Sequence, residues 1–286
     1  MVYLSEVSVA VDRKARTALS TALSKLTAHF MLPQNIERVI IKPSVFDPKL
    51  PGNTTKWMLA ALVKLFQNVA RIEIVESANP YRAANDAFAA CGYSELASER
   101  VSLIDLSSEE LSRVEMSGHF FKDHMMPSLL VRPGSILVSL ATAKTDSGGT
   151  TLGASIKNLF GLLPEMDKSV YHQVLDDVLL DLLTSFRPAL SVVDLTEVVA
   201  SGESGASQRI GAVAVSYDPV ALDAFCAQMF GLDPLNVGYL SRARQLGLGE
   251  ALPDRIKVLG TAYQKTLLYS AFERVRRNQK RYIPSQ

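Results

Sequence analysis

Lysine is the chemically capable residue that recurs at one kind of place in this chain, directly after short apolar runs. Lys42 follows the run 38–41, Lys144 comes after the run 135–140, and Lys157, Asn158, Lys168 and His172 come soon after it. Taken singly, each lysine reads as a solvated surface charge; the shared position after strand-like runs singles them out. Several ammonium groups beside Ser/Thr hydroxyls and the free N–H groups of a helix start stabilise a carboxylate or phosphate with little reorganisation. The stretch Lys144-Thr145-Asp146-Ser147-Gly148-Gly149-Thr150-Thr151 adds hydroxyls, and glycines that allow close backbone approach. The pattern reads as an anion cradle, with Lys42, Thr54, Thr55, Lys56, Thr151, Ser155, Asn158 and Lys168 as substrate-binding candidates. Lys157, His172, Lys144, Asp146 and Asp223 are the catalytic candidates. A lysine among like charges has a lowered pKa and serves as base or Schiff-base nucleophile, while His172 with Asp146 or Asp223 moves protons. Asp223 lies in the apolar run 220–225, where a carboxylate is costly without a partner, and a cradle lysine is the expected partner.

Other motifs are incomplete. Gly148 and Gly153 have the spacing of a phosphate-binding P-loop, but Ala154 and Ser155 stand where Lys and Ser/Thr are needed. Gly247-Leu248-Gly249 lacks the third glycine of a dinucleotide fingerprint, and Gly202-Glu203-Ser204-Gly205 lacks nucleophile-elbow spacing. His119, Asp123 and His124 match metal-ligand spacing poorly, and His29 stands apart, so no metal and no cofactor are expected. Asp218-Pro219 reads as a helix cap, Cys91 and Cys226 as packing residues. The cluster Arg274, Arg276, Arg277, Lys280 and Arg281 reads as a solvated helix end complementing the dipole.

The elements that must carry these residues alternate. Strands are predicted at 7–11, 38–41 and 71–75, each followed by a helix, at 13–31, 54–68 and 81–91. Short strand-like runs at 102–106, 128–132 and 135–140 follow, the last two joined by a turn at Pro133-Gly134. From 151 the chain reads helical, then strands at 190–194 and 210–216, helices at 219–230 and 233–246, a strand at 255–259 and a terminal helix. This order predicts an α/β fold: a mainly parallel or mixed sheet flanked by helices on both faces. It is read as one domain over 1–286 with a smaller lobe at about 95–140. In such sheets the ligand crevice lies beyond the carboxyl ends of the strands, where the lysines fall.

Composition narrows the partners. With 30 basic against 29 acidic residues in 286, the chain has no global attraction for nucleic acid or anionic membrane. The most apolar stretches, 128–143 and 178–200, are interrupted by charges and prolines, and the first residues lack a signal-peptide pattern. Two distant cysteines fit a reducing compartment. The expectation is a cytoplasmic protein with a small anionic organic substrate, and homo-oligomers are left open. The reaction expected is cofactor-independent general acid/base chemistry of isomerase, cyclase or lyase type. The alternatives are a metal- or iron-sulfur-linked redox or accessory protein, and a non-catalytic metabolite-binding protein.

Several segments resemble one known family. Ile41-Lys42-Pro43, Thr54-Thr55, Lys144-Thr145, Ser155-Ile156-Lys157-Asn158-Leu159-Phe160-Gly161, Lys168 with Tyr171-His172, Val193-Asp194 and the run from Ser216 to Asp223 are similar to the domain of unknown function 362 family, over about 38–250. The resemblance implies an α/β fold and a cytosolic prokaryotic protein, without a settled reaction. Many relatives carry a ferredoxin-like module with four-iron clusters; this sequence has two cysteines and resembles the form without that module. Where the family often has histidine, after the paired threonines and after Lys-Thr, this chain has Lys56 and Asp146, which removes two metal ligands or proton carriers. The strand with its glycine-rich helix start is also similar to the nickel-pincer lactate racemase family.

Overall fold

Strand and helix alternate from the amino end in a computed structural model that describes residues 5–26, 36–68, 70–116, 118–145, 152–200 and 207–282. Strand β1 (Ser5–Val11) leads into α1 (Ala15–Leu23), β2 (Arg38–Pro43) into α2 (Lys56–Phe66), and β3 (Arg71–Glu76) into α3 (Ala84–Ala90). After β4 (Val101–Asp105) comes an antiparallel hairpin of β5 (Leu111–Glu115) and β6 (Asp123–Pro127), and then the long β7 (Ser135–Thr145). A short β8 (Leu152–Gly153) folds back on β7, followed by α4 (Ser155–Asn158) and α5 (Leu175–Ser185). Strands β9 (Leu190–Val199) and β10 (Ser207–Ser216), helices α6 (Pro219–Phe230) and α7 (Gly238–Gln245), β11 (Ile256–Leu259) and α8 (Ala262–Tyr282) follow.

Nine strands form one mixed sheet in the order β11-β1-β10-β9-β7-β2-β3-β4, with β8 paired to β7 outside that path. Along the path every pairing is parallel except those that β10 makes with β1 and β9. A central parallel strand is buried on both faces, so its sequence is a continuous apolar run. On β2, Val39 and Ile41 pack with α1, α2 and α3, and Ile40 packs in the core formed with α4 to α8. Helix α2 starts at Thr55, whose hydroxyl accepts from Met58 N–H, and α6 starts at Asp218 with Pro219 at its first turn and stops at Gly231, φ +82°.

Three elements differ from the sequence expectation. Residues 128–132 form no strand but a 3₁₀ helix, Ser128–Val131; short apolar runs do not separate the two by periodicity. The segment after 151 begins with β8 and not with a helix, because Lys144 and Thr145 pair with it. The β5–β6 hairpin is largely half-exposed and carries no apolar alternation to mark it. What holds its turn is Asp181 of α5, whose buried carboxylate accepts the N–H groups of His119 at 2.7 Å, Phe120 at 2.8 Å and Phe121 at 2.7 Å. Gly118 is required beside it: a Cβ there would lie 2.2 Å from the Asp181 carboxyl carbon.

The chain winds from β2 outward through β3 to β4, then returns to place β7 on the other side of β2 and continues outward to β9. The β2/β7 boundary is therefore the topological switch point, where diverging loops open a crevice at the carboxyl ends of the strands. Lys42 ends one of these strands and Lys144 the other.

Candidate functional site

Lys42 follows Ile40 on the face of β2 that meets α4. Its Nζ donates to Glu76 Oε2 at 2.8 Å, to the Pro43 carbonyl at 2.7 Å and, at 3.4 Å, to Asn158 Oδ1. Both side chains of the Lys42–Glu76 pair are only 3% exposed, so the charges are held almost without water. Asn158 locks the arrangement by donating to the Lys42 carbonyl and to Ser139 Oγ. Burial pulls the Lys42 pKa down while Glu76 opposes the shift. The Gly161 backbone closes over the pair: a Cβ there would lie 2.6 Å from Lys42 Cε and 3.1 Å from Glu76 Oε1. Arg82 reaches the other Glu76 oxygen at 3.7 Å while donating to the carbonyls of Val45, Phe46 and Ser77.

Lys168 extends this network across the edge of the sheet. Its Nζ donates to Ser77 Oγ at 3.1 Å, to the Ala78 carbonyl at 3.3 Å and to the Glu165 carbonyl. Burial lowers its pKa to about 8, with Glu76 and Glu165 opposing. Beyond it, Glu165 Oε1 accepts from Tyr171 at 3.0 Å and meets His124 Nε2 of the hairpin at 2.6 Å. Burial pushes the Glu165 carboxyl up, but its hydrogen bonds and the His124 charge outweigh this and hold it below its ordinary value. An ionised Glu165 can only accept, so His124 Nε2 is the donor in this contact. Sequence reasoning missed Glu165, Tyr171 and His124 as a unit, because a hairpin contact separated by 41 residues has no spacing signature.

Lys144 and Lys157 form the second group. Gly153 lies between them, its Cβ position 3.7 Å from Lys144 Cβ and 3.9 Å from Lys157 Cδ, and Gly52 packs against the Lys144 stem. Burial, then the like charges of Lys157 and Lys42, lower the Lys144 pKa to about 8. Lys42, Lys144 and Lys157 thus lie around the switch point, with Lys168 beyond them at the end of β3.

Other sequence candidates have structural partners. Thr54 Oγ1 donates to the Leu140 carbonyl at 2.9 Å, and Thr55 donates to Asp194 through both N–H and Oγ1, at 2.9 and 2.7 Å. Both threonines tie the β2–α2 loop to the neighbouring strands. Lys56 pairs with Glu95 away from the other lysines and lies 5.7 Å from the Trp57 ring. Asp223 does not pair with a lysine: its buried carboxylate accepts from the N–H groups of Ser155 at 2.7 Å and Ile156 at 3.0 Å, and from Tyr239 at 3.2 Å. The start of α4, expected to hold a ligand anion, is filled by this internal carboxylate. Burial pushes Asp223 up to about 7 against these donors. Ser155 is buried, with its hydroxyl on Ser191 at 2.8 Å. His172 is exposed in the 3₁₀ helix Ser169–Val174, its ring 5.8 Å from that of Phe160. Asp146 and Thr151 lie outside the described residues.

A cleft of about 760 Å³ opens at the opposite, amino-terminal edge, lined by Arg38, Arg71 and Arg100 with Glu37 and Glu99. No helix start points into that edge of a parallel sheet, and its guanidinium groups alternate with carboxylates, so the chemistry favours the lysine edge. Among the described residues no three His, Cys, Asp or Glu side chains are gathered to hold a metal ion. No helix among the described residues is long and apolar enough to cross a membrane.

A known protein shares this architecture. The lactate racemase apoprotein from Thermoanaerobacterium thermosaccharolyticum superposes with a TM-score of 0.50 at 12% identity, over 79% of this chain and 57% of that one. A Thermotoga maritima protein of known crystal structure gives 0.45 at 10% identity, over 81% of this chain and 58% of its own. The chain therefore spans less than three fifths of either solved structure. A thylakoid-associated protein of Synechocystis is 22% identical over 230 residues, 74% of this chain and 68% of that protein. Residues 39–228, which run from β2 through the lysine cluster into α6, match the family described as Domain of unknown function (DUF362), and the chain belongs to that family.

Proposed function

We propose that this protein is an enzyme acting on a small carboxylate- or phosphate-bearing organic molecule by acid–base chemistry of isomerase, cyclase or lyase type. The observation that carries the reading is the gathering of Lys42, Lys144 and Lys157 at the β2/β7 switch point, with Lys168 beyond it at the end of β3. Lys144 and Lys157 bind and polarise the anion; Lys42, fixed by Glu76, adds a buried positive field. Removing solvent from such a site strengthens each charge interaction. The Glu165–His124 pair beside Lys168 supplies a proton carrier of the kind used in general acid–base catalysis. The lactate racemase likeness is one of fold, and it supports the reading only by analogy.

Two measurements test it. Thermal shift against carboxylates and phosphate esters should find a stabilising anion, worth about 2.7 kcal/mol at a hundredfold excess over Kd. That anion, incubated in deuterium oxide, should take up solvent deuterium or convert to product, and Lys157→Met should abolish the conversion while the fold is kept. Binding without exchange or conversion would assign a non-catalytic binding role; full turnover in Lys157→Met would remove the lysine mechanism.

A further inference from the structure

The four lysines are not chemically equivalent. Lys42 and Lys168 each give their ammonium hydrogens to several oxygens: Glu76, the Pro43 carbonyl and Asn158 in one case, Ser77 and the carbonyls of Ala78 and Glu165 in the other. Such a shell of acceptors takes up the hydrogens on the nitrogen, so a carbonyl compound must displace one of these oxygens to reach it. Lys144 has the opposite surroundings. It is half-buried at the end of β7, its stem packed along the Gly52 backbone, its charge set against Lys157 and Lys42, and it enters no ion pair among the described residues. Like charges and partial burial favour the neutral amine, the form that attacks carbonyl carbon.

We propose that Lys144 is an imine-forming lysine whose partner is a 2-oxo acid, with the carboxylate of the acid facing Lys157. The inference rests on the reading of this edge as an anion-binding site. The Lys144 nitrogen lone pair forms a bond to the carbonyl carbon, and the oxygen takes up the proton given up by nitrogen. The resulting carbinolamine loses its hydroxyl with a second proton as water, leaving a carbon–nitrogen double bond. One amine and one carbonyl become one imine and one water, and nothing is oxidised or reduced. Once protonated, the imine draws electrons from the adjacent carbon and loosens its C–H or C–C bond, which gives isomerase and lyase chemistry a route. The 2-oxo acid is favoured over a neutral carbonyl compound because the like charges beside the amine, Lys157 before Lys42, attract a carboxylate.

At neutral pH a lysine at about 8 is neutral about 300 times more often than one at 10.5. The test is reductive trapping: the full chain is incubated separately with pyruvate, 2-oxoglutarate and propanal in the presence of cyanoborohydride, and the adducts are located by peptide mass mapping. The expected result is a single reduced pyruvate or 2-oxoglutarate adduct on Lys144. It should form at least roughly tenfold faster than on exposed Lys64, and be absent in Lys144→Arg of unchanged melting temperature. Lys157→Met should slow trapping of the oxo acids more than that of propanal, which loses only the like charge that holds the Lys144 pKa down. Trapping of propanal but of neither oxo acid on Lys144 would overturn the proposed substrate class. Thermal stabilisation by an oxo acid without preferential Lys144 labelling would overturn the imine and leave the anion-binding reading standing. Neither stabilisation nor labelling by any anion would overturn both.

Discussion

Replacing Glu76 by Gln should be among the most damaging isosteric changes in this protein. Glu76 and Lys42 approach to 2.8 Å with both side chains 3% exposed, and Arg82 lies 3.7 Å from the second carboxylate oxygen. Glutamine keeps the volume and an oxygen for the Ser77 N–H, which Glu76 Oε1 now accepts at 3.0 Å. The change therefore removes the charge and sets an amide NH₂, a donor, against the Lys42 ammonium that Glu76 Oε2 now accepts from. Breaking a buried pair by neutralising one partner costs about 3–5 kcal/mol, because the other charge stays uncompensated. Three cations lean on Glu76, namely Lys42, Arg82 and Lys168, which places the expected loss near the top of that range. Against a total stability of about 5–15 kcal/mol this is a large fraction. The assay is urea unfolding of wild type, Glu76→Gln, Lys42→Met and the double variant. The double variant should recover at least about 2 kcal/mol relative to the sum of the single changes, as groups in one network do. Strictly additive losses, or a Glu76→Gln variant within 1 kcal/mol of wild type by this measure, would refute the claim that the pair is a desolvated, coupled unit.

Three further outcomes follow from the same geometry. Gly161→Ala should cost about 1–3 kcal/mol by overpacking and displace the Lys42 ammonium, which a crystal structure of the variant would reveal; unchanged stability would mean that the loop lifts freely. Asp181→Ala leaves the N–H groups of His119, Phe120 and Phe121 without their acceptor, so amide hydrogen exchange should rise at 119–127 with about 3 kcal/mol lost, and protection equal to wild type would dismiss the anchor. Asp223, pushed up to about 7, favours the protonated folded form, so its contribution is complete below about pH 4 and is lost as pH rises toward 7. Relative to Asp223→Asn, wild type should lose about 2–3 kcal/mol between pH 5 and pH 7; a constant difference in denaturant midpoints across that range would refute the shift.

Much of the fold is legible in local pattern because burial leaves a local imprint. The β-branched runs at β2 and β3, the helix caps at Thr55 and Asp218, and the glycine stop at Gly231 each follow from a few neighbouring residues. The hairpin left no such imprint, since its stabilising contact, Asp181 with 119–121, lies on a distant helix. Asp223 shows the same limit from the other side. Its apolar neighbours signalled a buried carboxylate needing a partner, but charge alone pointed to lysine where the fold supplied backbone N–H groups.

By itself, the sequence determined the α/β class and the placing of several lysines after strands, since hydrophobic periodicity and strand-end position are local properties. It also excluded the complete nucleotide motifs and a four-thiolate site, since these require particular residues to be present. Tertiary structure alone decided that Lys42 and Lys168 are engaged by several oxygens and that Lys144 is set against another lysine. It brought Glu76 to Lys42 and His124 to Glu165 across 34 and 41 residues of chain. The physical reason is that a charge's state depends on desolvation and on the groups within a few ångströms, and in a wound sheet those groups come from separate strands and loops.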